Sequence, residues 1–516
     1  MNLRRKRNNR DGTFSGNTPQ RAIIDIGSNT VRMVIFGGSL RAPTILLNEK
    51  VTAKLGRDIA RTGKLADEAI ELAMLGLRRF ALLLDDLGIS DVETVATAAV
   101  RDASNGPDFV DLLRELGFEP RILSGEEEAV LSAHGVLGAF PGASGIVVDL
   151  GGGSLELVAI DNGETHDAVS LPLGTLRLPD YRGDGRSGMR KSLEKALKKG
   201  AHGIKKGRPL YLVGGTLRTM AVFAMQEQGH PLSDPHGFEL DAKAAGKLAK
   251  ALAAESPDSL KMRDRISTMR ADKLPDAAVL LEALLSRCEP SRLVFSSWGL
   301  REGWLYDGLE PHARAQDPLL AGISFFATQR GAPPTLAARM AAWTLDAAPA
   351  REHGSERLRL AATMLALASM QIEPNIRLPQ AIDWALHKRW IAVSGQDRAM
   401  LAAAIAANGN QLDLPDEVRE LANEEALAEA IRWGLAVRLA RRIGARSRRS
   451  LQVSRLLVDD THLILRLAES HQALFGVTTE KDMKLLSGWL GRDFRVDVVA
   501  DEQLRNNPDE AAVGAK

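Results

Sequence analysis

The sequence predicts an α/β protein made of two related halves, followed by a mostly helical C-terminal region. Two motifs predict the halves: Ile-Asp-Ile-Gly-Ser-Asn-Thr at residues 24–30 and Val-Asp-Leu-Gly-Gly-Gly-Ser at residues 148–154, each lying between apolar runs. Apolar runs separated by a Gly-rich turn are typical of β-hairpins. Beyond Pro311 the chain is rich in Ala, Leu and Arg with helical periodicity, which predicts the helical region.

The two hairpin motifs align with each other and therefore indicate an internal repeat. The aligned residues are Asp25 with Asp149, Gly27 with Gly151, Thr30 with Ser154, and Val31 with Leu155. One aligned position reverses its charge, because Glu156 stands where the first half has Arg32. A single Asp-x-Gly turn is common, whereas two such turns in register are strong support for duplicated halves.

Each turn offers groups suited to a phosphate and a magnesium ion. Backbone N–H groups in a tight Gly turn form an anion-binding nest, and small residues allow the phosphate to come close. The predicted phosphate-binding residues are Gly27, Ser28, Asn29 and Thr30 in the first turn and Gly151, Gly152, Gly153 and Ser154 in the second. The aspartates beside the turns, Asp25 and Asp149, can hold Mg²⁺ directly or through water.

A third anion site is predicted where a strand enters a Gly-rich turn before a helix. The sequence Tyr-Leu-Val-Gly-Gly-Thr occupies residues 211–216, and helical periodicity begins at Leu217. A helix N-terminus after such a turn binds anions through its free N–H groups and its dipole. Gly214, Gly215 and Thr216 are the candidate residues, and the alternative is a tight turn without a ligand.

Four motifs together resemble one branch of a known superfamily. They are Asp-Ile-Gly-Ser-Asn-Thr at 25–30, Ser-Gly-Glu-Glu-Glu-Ala at 124–129, Asp-Leu-Gly-Gly-Gly-Ser-Leu-Glu at 149–156 and Leu-Arg-Glu-Gly at 300–303. These motifs are similar to those of the exopolyphosphatase and guanosine-pentaphosphate phosphohydrolase (Ppx/GppA) family, within the acetate kinase, heat-shock-70 and actin superfamily. The resemblance covers roughly the first three-fifths of the chain. It implies two ribonuclease-H-like (actin-like ATPase) domains that close over a central cleft.

The resemblance also implies roles for individual side chains. Glu128 matches the catalytic glutamate, which would activate the attacking water. The implied metal ligands are Asp25, Asp149 and Glu156, of which Asp149 and Glu156 are also counted as catalytic. The implied substrate contacts are Arg32, Arg101 and Arg301.

The residues alone leave structural alternatives for two of these assignments. Ser124 and Glu127 have the spacing of a capping box at a helix start. Acids in a first helical turn are favoured by the helix dipole without any chemistry, so Glu128 could serve the helix only. Arg101 follows a predicted strand and could make a surface salt bridge instead of binding phosphate.

Composition narrows the class of protein. The formal net charge of the 516 residues is +1, so no global field favours nucleic acid. The single cysteine, Cys288, cannot form an internal disulfide, which fits a reducing cytoplasm. No apolar stretch is long enough to span a bilayer, so we expect no membrane partner.

The sequence divides into four segments. We predict a disordered basic tail at 1–20, one ribonuclease-H-like domain at 21–142, a second at 143–312 and a helical C-terminal domain at 313–516. The tail lacks the apolar region of a secretory signal, and the alternative is a tether for an anionic partner. Apolar runs near the C-terminus predict a short α+β end after the helices, and the resemblance implies an HD-phosphohydrolase-like architecture for the helical domain. This domain is degenerate, because residues 364–370 lack the His and acid of its metal signature.

Terminal phosphoryl hydrolysis by direct attack of water is the function that these parts favour. The first hypothesis is an exopolyphosphatase acting on inorganic polyphosphate, and the second is hydrolysis of the 5′-phosphate of guanosine pentaphosphate in the same site. An ATP-dependent sugar or acetate kinase and a catalytically silent phosphate or nucleotide sensor are further hypotheses. The resemblance implies Mg²⁺ as cofactor, with Mn²⁺ as an alternative and stimulation by K⁺, and a homodimer.

Overall fold

The chain divides into two compact units, Met1–Pro318 and Leu319–Lys516, in a computed structural model that describes residues 20–183, 185–200, 203–445 and 447–505. The sequence places the corresponding boundary at 312/313. The predicted tail at 1–20 lies outside the described residues except for Gln20. Within those residues, no helix combines the length and the apolar character needed to cross a bilayer.

The first half of unit 1 is a mixed five-stranded sheet with helices. Its elements are β1 (Arg21–Ile26), β2 (Val31–Gly38), β3 (Pro43–Val51), α1 (Ile59–Thr62), α2 (Asp67–Asp86), β4 (Val92–Ala96), α3 (Ala98–Asp102), α4 (Gly106–Glu115), β5 (Pro120–Ile122) and α5 (Gly125–Ala139). The strand order is β3-β2-β1-β4-β5, with β1 to β3 antiparallel and β4 and β5 parallel to β1. The core beside the sheet is closed by Leu77 and Phe80 on the apolar face of α2.

The second half repeats this topology. Its elements are β6 (Gly145–Leu150), β7 (Leu155–Asp161), β8 (Glu164–Leu171), α6 (Gly185–Gly200), β9 (Leu210–Val213), α7 (Gly215–Glu227), β10 (Glu239–Asp241), α8 (Ala242–Ala254), α9 (Pro257–Lys261), α10 (Thr268–Ala271), α11 (Leu274–Cys288), β11 (Arg292–Phe295), α12 (Leu300–Asp307) and α13 (Pro311–Arg314). The order β8-β7-β6-β9-β11 matches the first sheet strand for strand, and β10 is added at the edge. The predicted repeat of two α/β halves is therefore confirmed.

Helix α5 packs on the sheet of the half that follows it. Its residues Ala133 and Val136 join Val147 and Val158 in one apolar cluster. Conversely, α12 lies late in the second half but places Leu305 in a cluster with residues of the first sheet. The sequence assigns α5 to residues 21–142, whereas its packing joins it to the second sheet, so its N-terminus lies between the two halves.

Glycines allow α5 and α12 to cross in direct backbone contact. A Cβ added to Gly135 would lie 2.4 Å from the carbonyl oxygen of Gly299. A Cβ added to Gly303 would lie 1.7 Å from the carbonyl oxygen of Leu131. Both neighbours are backbone atoms, which cannot move aside as a flexible side chain can. The crossing that joins the two halves therefore depends on the absence of side chains.

The C-terminal unit is helical with a small sheet at its end. Its elements are α14 (Pro318–Thr328), α15 (Pro334–Trp343), α16 (Glu356–Ala368), α17 (Arg377–Leu386), α18 (Gly395–Asn408), α19 (Asp416–Arg419), α20 (Glu424–Gly444), α21 (Arg448–Gln452), β12 (Ser454–Val458), β13 (His462–Ala468), α22 (Val477–Trp489), β14 (Asp493–Val499) and α23 (Asp501–Arg505). Strand β13 lies between β12 and β14. Buried Asp482 accepts from Arg438 at 2.8 Å and Arg442 at 3.0 Å, so part of the arginine-rich helix α20 serves internal ion pairs.

Substitution of Gly303 by Ala should destabilise unit 1, because the new methyl group would overlap the Leu131 carbonyl. Overpacking of this kind costs about 1–3 kcal/mol or more, and chemical denaturation with circular dichroism would measure it. Gly246→Ala is the matched control, since that helical glycine has no atom within 4 Å of an added Cβ. The control should be neutral or stabilising by up to about 1 kcal/mol. Equal stability of the two variants would contradict the tight crossing.

Candidate active site

The two predicted phosphate turns have the same backbone structure. In each turn the first glycine donates its N–H to the carbonyl of the fourth residue at 3.0 Å, Gly27 to Thr30 and Gly151 to Ser154. Other N–H groups of the turns find no hydrogen-bond acceptor in the described part of the chain, namely those of Ser28, Asn29, Thr30, Gly152, Gly153 and Ser154. These groups are available to an oxyanion, as in other backbone nests.

The turns contact each other across the boundary between the halves. An added Cβ on Gly152 would lie 3.1 Å from the Cβ of Ser28, and one on Gly153 would lie 2.6 Å from the Ser28 hydroxyl oxygen. On the other side of the second turn, a Cβ on Gly174 would lie 2.3 Å from the carbonyl carbon of Gly153. The glycines therefore allow the two sets of N–H donors to lie together.

A cavity of about 310 Å³ is lined by all three predicted phosphate segments. The lining includes Gly27, Ser28, Asn29, Thr30, Gly151, Gly152, Gly153, Ser154, Gly214, Gly215 and Thr216. Gly214 has φ +106°, a conformation that favours glycine, and a Cβ there would lie 2.6 Å from the Leu150 carbonyl oxygen. The close approach places the start of α7 against the strand that carries Asp149.

Four predicted acidic residues lie at or behind this cavity. Asp25, Glu128 and Asp149 line it, whereas Glu156 is buried and absent from the lining. Burial raises the pKa of Asp25, Asp149 and Glu156 above their ordinary values. The neighbouring carboxylates Glu128 and Asp149 raise the pKa of Glu156 further, although Ser170 donates to it at 2.9 Å.

Glu128 differs from its neighbours at the start of α5. Ser124 and Glu127 form the predicted capping box, with distances of 3.1 Å from Glu127 N to Ser124 Oγ and 2.8 Å from Ser124 N to Glu127 Oε2. The next carboxylate, Glu128, is buried and faces the cavity. Burial raises its pKa to about 8, with Arg101 opposing the shift and Asp149 adding to it. A carboxyl group with this pKa can exchange a proton near neutral pH.

Arg101 holds Glu128 rather than lining the cavity itself. Its Nη1 lies 3.4 Å from Glu128 Oε2 and donates to the Leu123 carbonyl at 2.9 Å. Its Nε lies 3.3 Å from Asp102, which also pairs at 3.0 Å with Arg177 of the second half. A chain of ionic contacts therefore connects the second half to Glu128.

The other two predicted arginines line the cavity near Asp25. Arg301 Nη1 lies 3.9 Å from Asp25 Oδ2. Arg32 stands opposite Asp25 in the β1–β2 pairing. Burial and the charge of Arg301 lower the pKa of Arg32. Both arginines are thus placed to meet an anion beside the first turn.

The sequence prediction missed several residues of the lining. They are Lys50, Thr97, Leu150, Thr175, Val213, Arg218, Ser267, Met269, Arg270, Lys273, Ser297, Gly299, Leu300 and Glu302. Arg218 donates to the Ser297 carbonyl at 3.0 Å and lowers the pKa of Asp149. Four of them lie inside motifs named in the sequence analysis, namely Leu150, Val213, Leu300 and Glu302. The others belong to none of those motifs. In the structure, Lys50 lies opposite Arg32 in the β2–β3 pairing.

The predicted metal ligands do not form a preformed metal-binding site. In the ranges covered by the structure, no three His, Cys, Asp or Glu residues are arranged so that they could hold a metal ion. Asp25 and Asp149 nevertheless line the same cavity, and the charge of Asp25 raises the pKa of Asp149. A cation would relieve this repulsion between the two carboxylates.

Comparison with known proteins agrees with this geometry. Residues 34–312 match the Ppx/GppA phosphatase family, and the chain belongs to that family. Retrograde regulation protein 2 of Saccharomyces cerevisiae is 29% identical over 334 residues, which are 58% of this chain and 57% of the yeast protein. The chain thus spans little more than half of that relative.

Two further relatives are similar over a comparable share of the chain. Exopolyphosphatase 1 of Mycobacterium bovis is 27% identical over 308 residues, which are 56% of this chain and 88% of that protein. The crystal structure of an exopolyphosphatase from Cytophaga hutchinsonii has a TM-score of 0.50 and 27% identity, covering 56% of this chain and 98% of that one. Unit 1 thus has the actin-like α/β fold of this family.

The raised pKa of Glu128 predicts a pH-dependent stability. Between its ordinary value of 4.5 and about 8, folded Glu128 keeps a proton that the unfolded chain has lost. Stability should therefore fall as pH rises through this window. Glu128→Gln removes the free-energy cost of ionising this buried carboxyl group. Without divalent cations, the substitution should therefore raise Tm at pH 8 by about 2 °C or more and change it little at pH 5. Differential scanning calorimetry would measure this.

Glu126→Gln is the control for that measurement. Glu126 is exposed in the same helical turn, and its substitution should leave the pH profile of Tm unchanged. A profile for Glu128→Gln that runs parallel to that of the wild type would show that Glu128 is not protonated in the folded state.

Proposed function

We propose that this chain is an exopolyphosphatase that releases terminal orthophosphate from inorganic polyphosphate by direct attack of water. The observation that carries this proposal is one buried carboxylate, Glu128, in the same cavity as three sets of backbone phosphate donors. The exopolyphosphatases among the relatives, from Mycobacterium bovis and Cytophaga hutchinsonii, are consistent with the same chemistry.

The reaction divides between donors that hold phosphate and a base that activates water. Hydrolysis of a phosphoric anhydride depends mostly on positioning and on neutralising charge. The N–H groups of both Gly turns and the start of α7 would hold the phosphate oxygens. Glu128 would orient the attacking water and take its proton, since a base with pKa near neutrality is best matched to this task. Arg101 would keep the Glu128 carboxylate in position.

Magnesium fits this cavity as an ion shared with the substrate. Mg²⁺ commonly uses one or two carboxylates together with phosphate oxygens and water. Asp25 and Asp149 offer two such carboxylates. Glu156 lies close to the second turn, since its Oε2 is 3.9 Å from the position of a Cβ added to Gly151. When bound, the ion would neutralise charge on the phosphate oxygens. Mn²⁺ as a substitute and K⁺ as an activator remain proposals from the family resemblance.

Polyphosphate is favoured over guanosine pentaphosphate by the character of the cavity. Its lining, as far as the structure describes the chain, contains no Phe, Tyr or Trp on which a guanine base could stack. It contains instead six cationic residues outside the Gly turns: Arg32, Lys50, Arg218, Arg270, Lys273 and Arg301. A linear polyanion can use such a surface along its whole length, whereas a nucleoside cannot.

Phosphate release with Mg²⁺ from long-chain polyphosphate and from guanosine pentaphosphate tests the proposal directly. Glu128→Gln should lower release by at least about 100-fold, the typical contribution of a general base. Glu126→Gln should retain wild-type release. Faster turnover of guanosine pentaphosphate would assign the other substrate, and release that survives Glu128→Gln would remove Glu128 from its role. No release from either substrate would refute the hydrolase proposal.

We further propose, from the family resemblance alone, a homodimer and an HD-like ancestry for the helical unit. Light scattering at micromolar protein concentration measures the oligomeric state. A monomeric mass would refute the dimer.

A further inference from the structure

Equivalent rows of residues in the two halves carry opposite charge. In the first sheet, the registers of β1, β2 and β3 place Asp25, Arg32 and Lys50 opposite one another. In the second sheet, the same positions hold Asp149, Glu156 and Ser170. Directly opposed residues in a sheet project from the same face. The row in the first half is therefore mainly basic, and the row in the second half is acidic.

The segment around α10 extends the basic side of the cavity. Lys273 Nζ donates to Asn29 Oδ1 in the first phosphate turn at 3.1 Å. The sulfur of Met269 lies 3.8 Å from Asn29 Nδ2 and 3.7 Å from Thr52 Oγ1. The segment thus crosses from the second half to the first turn and brings Arg270 and Lys273 to the cavity wall.

Arg270 lies beside the third phosphate segment. Its Nη1 donates to Thr219 Oγ1 in α7 at 3.3 Å. A Cβ added to Gly215 would lie 2.8 Å from Arg270 Nη2, so the guanidinium is packed against the start of that helix. Both cations of the segment therefore stand next to groups that bind phosphate in the proposed reaction.

The two cations of this segment have no direct ion pair with any described residue. Over the described ranges, no carboxylate lies within 4.0 Å of the side-chain nitrogens of Arg270 or Lys273. The adjacent Asp272 pairs with Lys261 at 3.0 Å. Burial, with Lys54 and Arg270 nearby, lowers the pKa of Lys273 to about 8, and Asp272 opposes this shift only in part. Partly buried cations without a counter-ion are costly, and an anion in the cavity would remove this cost.

We propose that Arg270 and Lys273, together with Arg32 and Lys50, form a second anion subsite that binds the internal phosphates of the substrate. The subsite rests on the proposed function, in which the Gly turns hold the phosphate to be cleaved. A polyphosphate molecule whose terminal phosphate lies in the Gly turns would extend past Asn29 and Gly215 to these four cationic side chains. The ligand class is a run of consecutive phosphates, and its charge rather than a base or sugar is recognised.

Isothermal titration calorimetry with inorganic tripolyphosphate and with orthophosphate separates this subsite from the terminal one. All variants carry Glu128→Gln to prevent turnover. Arg270→Gln and Lys273→Gln should each weaken tripolyphosphate about tenfold, and the double variant about 100-fold, the loss expected for one or two charge-assisted hydrogen bonds. Orthophosphate affinity should change by less than about twofold.

Three controls make the test decisive. Lys243→Gln removes an exposed charge at the start of α8 and should have no effect. Arg270→Lys and Lys273→Arg keep the charge and should restore much of the affinity. Thermal melts identify any Gln variant that has lost its fold. The affinities of the charge-retaining variants are then compared with that of the Glu128→Gln parent instead.

The outcomes distinguish the subsite from the proposed function. Unchanged tripolyphosphate affinity, or equal losses for orthophosphate and tripolyphosphate, would overturn the subsite even if wild-type enzyme hydrolyses polyphosphate. A selective loss of tripolyphosphate affinity would support the subsite even if no phosphate is released by the wild type, in which case only the hydrolase proposal fails. Absence of tripolyphosphate binding to the Glu128→Gln parent would overturn the subsite.

Discussion

The contact between the two Gly turns is the constraint on which the site depends. Each turn alone offers a few backbone N–H groups, which is an ordinary property of a tight turn. Their combination arises because Gly152 and Gly153 allow the second turn to touch Ser28. On the other side of the second turn, the backbone of Gly174 packs so closely that an added Cβ would overlap Gly153. Any side chain at these positions would separate the two sets of N–H donors. The cavity that both halves share would then be disrupted.

The duplicated topology makes this contact possible while allowing the halves to differ in chemistry. Equivalent strands place equivalent residues beside the two turns, so a change of residue changes the charge there without changing the strand register. Arg32 and Glu156 illustrate this, because each lies opposite the aspartate of its own half. The result is a mainly basic row of residues in the first half and an acidic row in the second.

The exchange of helices explains why Glu128 lies between the halves. Helix α5 follows the first sheet in the chain but packs on the second sheet, and it crosses α12 through glycines. Its N-terminal turn is thereby directed at the cavity. The ionic contacts from Arg177 through Asp102 and Arg101 to Glu128 span both halves. A change in the separation of the halves would therefore alter the contacts of Glu128, as expected for sites that close over a substrate.

The sequence by itself determined the repeat, the strands of both hairpins, the Gly turns, the start of α7 and the capping box of α5. These features are local, because short-range turn chemistry and apolar periodicity specify them within a few residues. The motif match added Glu128, and the structure brings its carboxylate to the cavity while leaving Glu156 behind the lining.

Only the tertiary structure decided which sheet α5 packs against and which distant residues complete the wall. Lys273 lies 244 positions from Asn29 and Arg270 lies 51 positions from Thr219, yet each pair is in hydrogen-bond contact. No local pattern marks such residues, because their meeting depends on how the two sheets and the segment around α10 pack together.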